Sequence, residues 1–238
     1  MMIIDAPSPN FGPRKEGKKI KYLILHYTGT KTSFEAIRLL QGGDKDHQVS
    51  AHYMVDEAGS VMRFVDEAMR AWHAGKSSWE GEEDINSCSI GIEIQNPGHE
   101  YGYVLFPDEQ IEAVIELCRG VIERHKIISC NVLAHSDIAP ERKEDPGELF
   151  PWEMLASKGI GAWPEPGEHE EAEDIGEILT RYGYDPRVDL KTRITAFQRH
   201  FEPDVFLTPD SIGIANLNTV YRLQSLTKQK LAKRPRLS

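Results

Sequence analysis

Lys21-Tyr-Leu-Ile-Leu-His-Tyr-Thr28 decides how this chain folds. Its apolar side chains fall on both faces of an extended backbone, the pattern of a strand covered on both sides. Such a strand belongs inside a sheet. At its C-terminal end it delivers His26 into apolar surroundings. An imidazole so placed is either a core histidine bonded to a carbonyl or a metal ligand, and the rest of the chain bears on which.

Working outward, Ser89-Ile-Gly-Ile-Glu-Ile-Gln95 is a second strand. Ile90, Ile92 and Ile94 share one face; Gly91, Glu93 and Gln95 share the other. His52–Asp56 and Val61–Val65 read as the arms of a hairpin turned at Glu57-Ala-Gly-Ser60. Helices are expected over 33–41, capped by Thr32 or Ser33, and over 107–126. In the longer one Pro107 suits the first helical position, and Asp108 and Glu109 suit the positive end of the dipole. Residues 5–19, with their prolines and glycines, read as an irregular lead-in, and 96–105 as a loop. A short strand at 131–134 runs into a polar loop over 135–149, followed by a short helix at 152–157. Trp163-Pro-Glu-Pro-Gly167 reads as a boundary. Beyond it, helices are expected over about 171–181, 190–201 and 209–230, with Ile194, Phe197 and Phe201 as an apolar stripe. The division is 1–164 and 165–238, and the class is α/β with a small C-terminal three-helix module.

At 238 residues with 39% hydrophobic content, the chain can bury a core. A formal charge of −10 repels polyphosphate, so no nucleic-acid partner is expected. No apolar run reaches membrane length, and the N-terminus has no basic flank and no long apolar stretch, so neither a signal peptide nor a transmembrane segment is expected. Cys88, Cys118 and Cys130 are odd in number and form no metal-binding spacing, which fits free thiols in a reducing compartment.

The densest polar constellation is His135-Ser-Asp-Ile-Ala-Pro-Glu-Arg-Lys-Glu-Asp-Pro-Gly147. A loop that starts at a strand end can fold His135 and Asp145 back to one point. With His26 this makes two imidazoles and one carboxylate, and three protein ligands with one open position suit a catalytic zinc. Glu93 is either an exposed carboxylate of a one-sided sheet or the proton acceptor that a metal hydrolase needs. Lys143 is either a surface lysine or the cation that answers an oxyanion.

Several separate stretches, in order over about 20–163, carry a resemblance. They are Ile24-Leu-His-Tyr-Thr28, Ser50-Ala-His-Tyr53, Ala71-Trp-His-Ala-Gly75, Ser89-Ile-Gly-Ile-Glu-Ile94, Ala134-His-Ser-Asp-Ile-Ala-Pro140, Arg142-Lys-Glu-Asp-Pro-Gly147 and Leu149-Phe-Pro-Trp152. The chain resembles the zinc-dependent N-acetylmuramoyl-L-alanine amidases of the AmpD/AmiD type, whose fold is shared with peptidoglycan-recognition proteins. The resemblance implies a mixed central β-sheet flanked by helices. It implies Zn2+ held by His26, His135 and Asp145, Glu93 as the catalytic carboxylate, and Lys143 as support for the transition state. Trp72 and His73 match a motif near the substrate groove. Asn86 and Asn96, which flank the Glu93 strand, are candidates for hydrogen bonds to substrate, whereas His52 is expected to be structural.

The tail stretches Gly159–Pro164, Leu179–Asp185 and Ala196–Phe201 resemble the C-terminal helical module of the AmiD branch, itself similar to three-helix peptidoglycan-binding domains. The usual Asp-Gly turn is replaced by Pro203-Asp-Val-Phe206. The tail is expected to dock through the Phe197 and Phe201 face. The implied activity is hydrolysis of the amide between N-acetylmuramic acid, anhydro or not, and L-alanine of the stem peptide, with muropeptides as partners. The alternative is a non-catalytic muropeptide- or peptidoglycan-binding protein. A zinc peptidase is disfavoured because no His-Glu-x-x-His helix is present. The cytoplasm is the expected location, with the periplasm or cell envelope as the alternative that the tail suggests.

Overall fold

The structure, a computed structural model, describes residues 2–43, 46, 48–165 and 173–233. Residues 166–167 of the expected boundary and 171–172 of an expected helix lie outside these. In chain order the elements are β1 (Ile3–Asp5), β2 (Phe11–Pro13), β3 (Tyr22–Tyr27), α1 (Ser33–Leu40), β4 (Tyr53–Val55), β5 (Val61–Arg63), β6 (Met69–Ala71) and β7 (Ser89–Ile94). Then follow α2 (Gly98–Tyr101), α3 (Asp108–His125), β8 (Val132–Ala134), α4 (His135–Ile138), α5 (Trp152–Ser157), α6 (Ile175–Tyr182), α7 (Leu190–Phe201) and α8 (Leu217–Lys233).

Six strands form one mixed sheet in the order β1-β5-β4-β7-β3-β8. β3 lies inside it, parallel to both β7 and β8, with His26 in register with Glu93. β4 and β5 are the expected antiparallel hairpin, and β4 runs parallel to β7.

The two-sided apolar pattern of β3 has two distinct covers. Leu23 and Leu25 pack, with Ile90, Ile92 and Ile94, beneath Ile111, Val114, Leu117, Cys118 and Val121 of α3. Tyr22 and Ile24 face the opposite way. They join Leu133 in a cluster with Ile178 and Leu179 of α6, Phe197 and Phe201 of α7, and Leu223 and Leu226 of α8. The alternation of a strand sends neighbouring side chains to opposite faces, so one strand is buried by a central helix and by the tail at once. Phe197 and Phe201 are fully buried in that contact.

Parts of the expected outline shift. Residues 5–19 are not all irregular: Phe11–Pro13 pairs antiparallel with β6 in a separate two-stranded sheet. Three residues give too little periodicity to read, and Pro13 is tolerated because the ribbon has only edges. α3 starts at Asp108 with Pro107 as its cap rather than its first residue. The third tail helix starts at Leu217, not near 209. Two 3-10 turns, Pro203–Leu207 and Pro209–Ser211, occupy the approach. Gln198 then holds the chain there, accepting from the Gly213 amide and donating to the Ile214 carbonyl at 2.8 and 2.9 Å.

Candidate metal centre

The site forms where β3 and β8 end. β3 carries His26; β8 runs straight into α4, whose first residue is His135. The chain then turns and returns Asp145, whose carbonyl accepts from the Ser136 amide at 3.0 Å. His26 Nδ1, His135 Nδ1 and Asp145 Oδ2 converge at 2.9, 3.1 and 3.0 Å from one another. All three residues are buried.

The outward nitrogens show what these inward atoms carry. His135 Nε2 donates to the Ala74 carbonyl at 3.1 Å, which leaves its Nδ1 without a proton. Ser89 Oγ donates to the Ile85 carbonyl at 2.7 Å, so it accepts from His73 Nε2 at 3.1 Å. His73 Nδ1 then accepts from His26 Nε2 at 3.0 Å, leaving His26 Nδ1 bare as well. This tautomer assignment follows from the hydrogen-bond network. Two nitrogen lone pairs and a carboxylate oxygen therefore meet with no proton among them. Such a group is stable around a cation, and two imidazoles with one carboxylate form a donor set for a divalent transition metal. The outer hydrogen bonds fix ring orientation in the manner of metal-ligating histidines. The same group of three is the set of described residues able to hold a metal ion.

Electrostatics agree with this protonation. Burial, followed by the neighbouring His135, pushes His26 down to about 4. Burial also holds His73 well below the ordinary histidine value. Burial works to raise Asp145, but positive charge at the point where His135 and His26 meet it holds its carboxyl well below the usual carboxylate range. Glu93, one strand over, goes the other way. Burial and then the charge of Asp145 push it up to about 8, against the opposing pull of Lys143. Its Oε2 is buried with no hydrogen-bond partner among the described residues.

Lys143 stands two residues before Asp145, half-buried, and its charge reaches both His26 and Glu93. No described residue pairs with its ammonium. It lines a cleft of about 390 Å³ shared with Arg142, Glu144, Thr192 and Arg199. A second cleft of about 400 Å³ opens at Gly29, three residues beyond His26, and includes Lys31, Arg38 and Tyr101.

The four groove candidates divide. Trp72 is half-buried. His73 is buried behind His26 instead of facing a groove, and Gly91 exists for it: a Cβ at Gly91 would lie 2.4 Å from the His73 ring. Asn86 spends its carbonyl on the His73 and Ala74 amides at 3.1 and 2.9 Å. Asn96 braces its own loop, accepting from Gly98 and donating to Val104. The side-chain carbonyl of Asn86 and both polar groups of Asn96 are thus engaged inside the protein. His52 is structural, accepting from the Gly91 amide and donating to the Met69 carbonyl.

The Ser89–His73 relay is not legible in the sequence, where its trace is the space that Gly91 leaves on the strand carrying Ser89. Nor does the sequence single out Asp137, although that residue lies within the quoted loop.

Residues 16–148 match the family model described as N-acetylmuramoyl-L-alanine amidase. The chain is 38% identical over 217 residues to the N-acetylmuramoyl-L-alanine amidase AmiD of Escherichia coli K12, covering 79% of this chain and 77% of that protein. It is 39% identical over 175 residues to the 1,6-anhydro-N-acetylmuramyl-L-alanine amidase AmpD of Enterobacter cloacae, covering 63% and 88%. The E. coli AmiD structure, a complex with anhydro-N-acetylmuramic acid-L-Ala-D-gamma-Glu-L-Lys, superposes with a TM-score of 0.77 at 35% identity, over 90% of this chain and 92% of that one. AmpDh3 of Pseudomonas aeruginosa, in complex with anhydromuramic pentapeptide, gives 0.78 at 29% identity, over 90% and 93%.

Proposed function

We propose, given that this chain belongs to the N-acetylmuramoyl-L-alanine amidase family, that it hydrolyses the amide joining the lactyl group of N-acetylmuramic acid to L-alanine of the stem peptide. The observation that carries the reading is the meeting of three unprotonated donor atoms from His26, His135 and Asp145 beside a carboxylate with an unpartnered oxygen. We assign the metal as zinc, held by those three residues. Bound there, zinc supplies a Lewis acid for the scissile carbonyl and makes water acidic near neutral pH.

The chain's own groups do the rest. Glu93 accepts the proton of the attacking water and returns it to the alanine nitrogen as that nitrogen leaves. A carboxylate withdrawn from water is more basic than an exposed one, so it can take the proton from the attacking water and keep it until the leaving nitrogen accepts it. Lys143 presents its ammonium to the charge that grows on the carbonyl oxygen. His73 and Ser89 hold the His26 ring in one tautomer. Trp72 remains the candidate for contact with sugar or peptide. Both anhydro and ordinary muropeptides are proposed as substrates.

No helix among the described residues is long and apolar enough to cross a membrane. The three cysteines are free and buried. Free thiols favour a reducing compartment, so we place the enzyme in the cytoplasm, acting on muropeptides returned by wall turnover. Recovery in the periplasm or envelope on cell fractionation would overturn that placement. The activity itself is tested by incubating purified protein with paired anhydro and ordinary muramoyl-peptides and identifying the products. Free muramic acid derivative plus an intact peptide beginning at L-alanine is expected. Cleavage inside the peptide, or retention of uncut ligand, would refute it.

A further inference from the structure

The ligand loop runs from His135 to Asp145 and contains a single helical turn, α4. One turn of helix has little stability of its own. The grip on it comes from the tail.

Asp137 is the point of attachment. It is almost fully buried. Its Oδ2 accepts from the Ala134 amide at 2.8 Å, which closes the turn that aims His135. The same carboxylate accepts from two tail residues. Tyr184, just after α6, donates its hydroxyl to Oδ1 at 2.6 Å, and His200 of α7 donates from Nδ1 to Oδ2 at 2.7 Å. The His200 ring is itself stacked against Trp152, with centroids 3.7 Å apart. At the other end of the loop, Arg199 of α7 bonds Glu144 and Glu148, the residues that flank the Asp145-Pro-Gly turn, at 3.1 and 3.2 Å. Glu144 is half-exposed, so that bond is the weaker. The tail therefore holds the segment that carries two of the three donor atoms near both of its ends.

We propose that the C-terminal helices act as a clamp on the metal-ligand loop, with Tyr184, His200 and Arg199 as positioning residues for His135 and Asp145. This rests on the zinc reading given above. It also accounts for the Phe197-Gln-Arg-His-Phe201 stretch. Phe197 and Phe201 are buried in the shared core, Gln198 is tied to Gly213 and Ile214, and Arg199 and His200 reach the loop. Side chains so engaged are not available to a glycan.

The test uses the full chain, stripped with a chelator and titrated with zinc against a chromophoric competitor. The variants are Tyr184→Phe and His200→Phe, which keep a ring and remove one donor. The control is Phe197→Leu, which thins the same core without touching Asp137. Unfolding of each metal-free protein is measured alongside. Zinc dissociation constants are expected to rise roughly tenfold for Tyr184→Phe and for His200→Phe, as for other outer partners of metal sites. Phe197→Leu should lose stability and keep its zinc affinity. For the zinc-loaded ring variants, kcat should fall while KM holds. Unchanged zinc affinity in both ring variants, or an equal loss in Phe197→Leu, would overturn the clamp and leave the zinc reading intact. Failure of the wild-type chain to take up zinc would overturn the zinc reading, and the clamp with it.

Discussion

Asp145 and Glu93 are carboxylates of one site pushed in opposite directions. Asp145 faces two imidazole nitrogens and stays ionised; Glu93 has no hydrogen bond for its buried Oε2 and, with no metal bound, takes up a proton more readily than an exposed carboxylate. Different roles follow, and each has its own variant. Asp145→Ala should reduce bound zinc from one per chain to a small fraction, by elemental analysis, while circular dichroism stays native. Glu93→Gln should keep zinc and lose on the order of 10²–10⁴ in turnover, since an amide cannot take up the water proton. Near-normal turnover would move the base elsewhere. Glu93 also predicts a pH effect in protein stripped of metal. Its folded value of about 8 lies above the ordinary glutamate value of 4.5, so between the two the folded chain keeps a proton that the unfolded chain has released. Stability from this group is complete below about pH 4.5 and is lost as pH rises towards 8. Denaturant melts of metal-free Glu93→Gln should therefore gain on wild type with rising pH, by on the order of a few kcal/mol at pH 8. A difference that does not change between pH 5 and pH 8 would show that Glu93 is ordinary.

At the level of the element, β7 shows what a sequence can and cannot display. Its alternation announced an apolar face and a polar one, and the structure puts the three isoleucines under α3 and Glu93 beside His26. Gly91 announced space but not its occupant. The His73 ring fills it, and a residue eighteen positions away by chain distance is invisible to a period-2 reading. The same limit explains the asparagines. Asn86 and Asn96 flank the strand in sequence, but hydrogen-bond partners are a property of the folded loops. β2 was missed because three residues carry no period, whereas α7, twelve residues long with a clear stripe, starts and ends where its spacing predicts. Gly91→Ala tests the close approach. A Cβ 2.4 Å from the ring must displace His73 or separate the strands, at a cost of about 1–3 kcal/mol. Displacing His73 frees His26 Nε2, so zinc affinity should fall in the same variant. Full stability with full zinc affinity would mean that the ring has room to move.

For the whole molecule, the question is what the composition break near residue 165 separates. The sequence sets 1–164 apart as the catalytic unit; the proposed metal-ligating and catalytic residues lie before that boundary, and the proposed positioning residues Tyr184, Arg199 and His200 lie beyond it. The core is arranged differently. Tyr22 and Ile24 of β3, Leu133 of β8 and Trp79 share one cluster with Ile178, Tyr182, Tyr184, Phe197, Phe201, Leu223 and Leu226. Trp79 meets Tyr182 and Tyr184 edge-on at 5.8 and 4.9 Å, and Lys230 reaches the Tyr182 carbonyl from α8. Removing residues after 164 would turn that face of the sheet, including the strand that carries His26, out to water. Hydrophobic burial scales with the area withdrawn from water, and one side chain gives the scale. Phe197→Ala should cost about 3–5 kcal/mol, a large share of a typical domain's stability. The full chain is therefore expected to unfold in a single calorimetric transition, with tail and sheet melting together. A chain ending at residue 164 should be unfolded or aggregated and should bind no zinc. Two resolved transitions, or a soluble 1–164 fragment with wild-type zinc affinity, would show that the tail is an accessory carried by an independent catalytic domain.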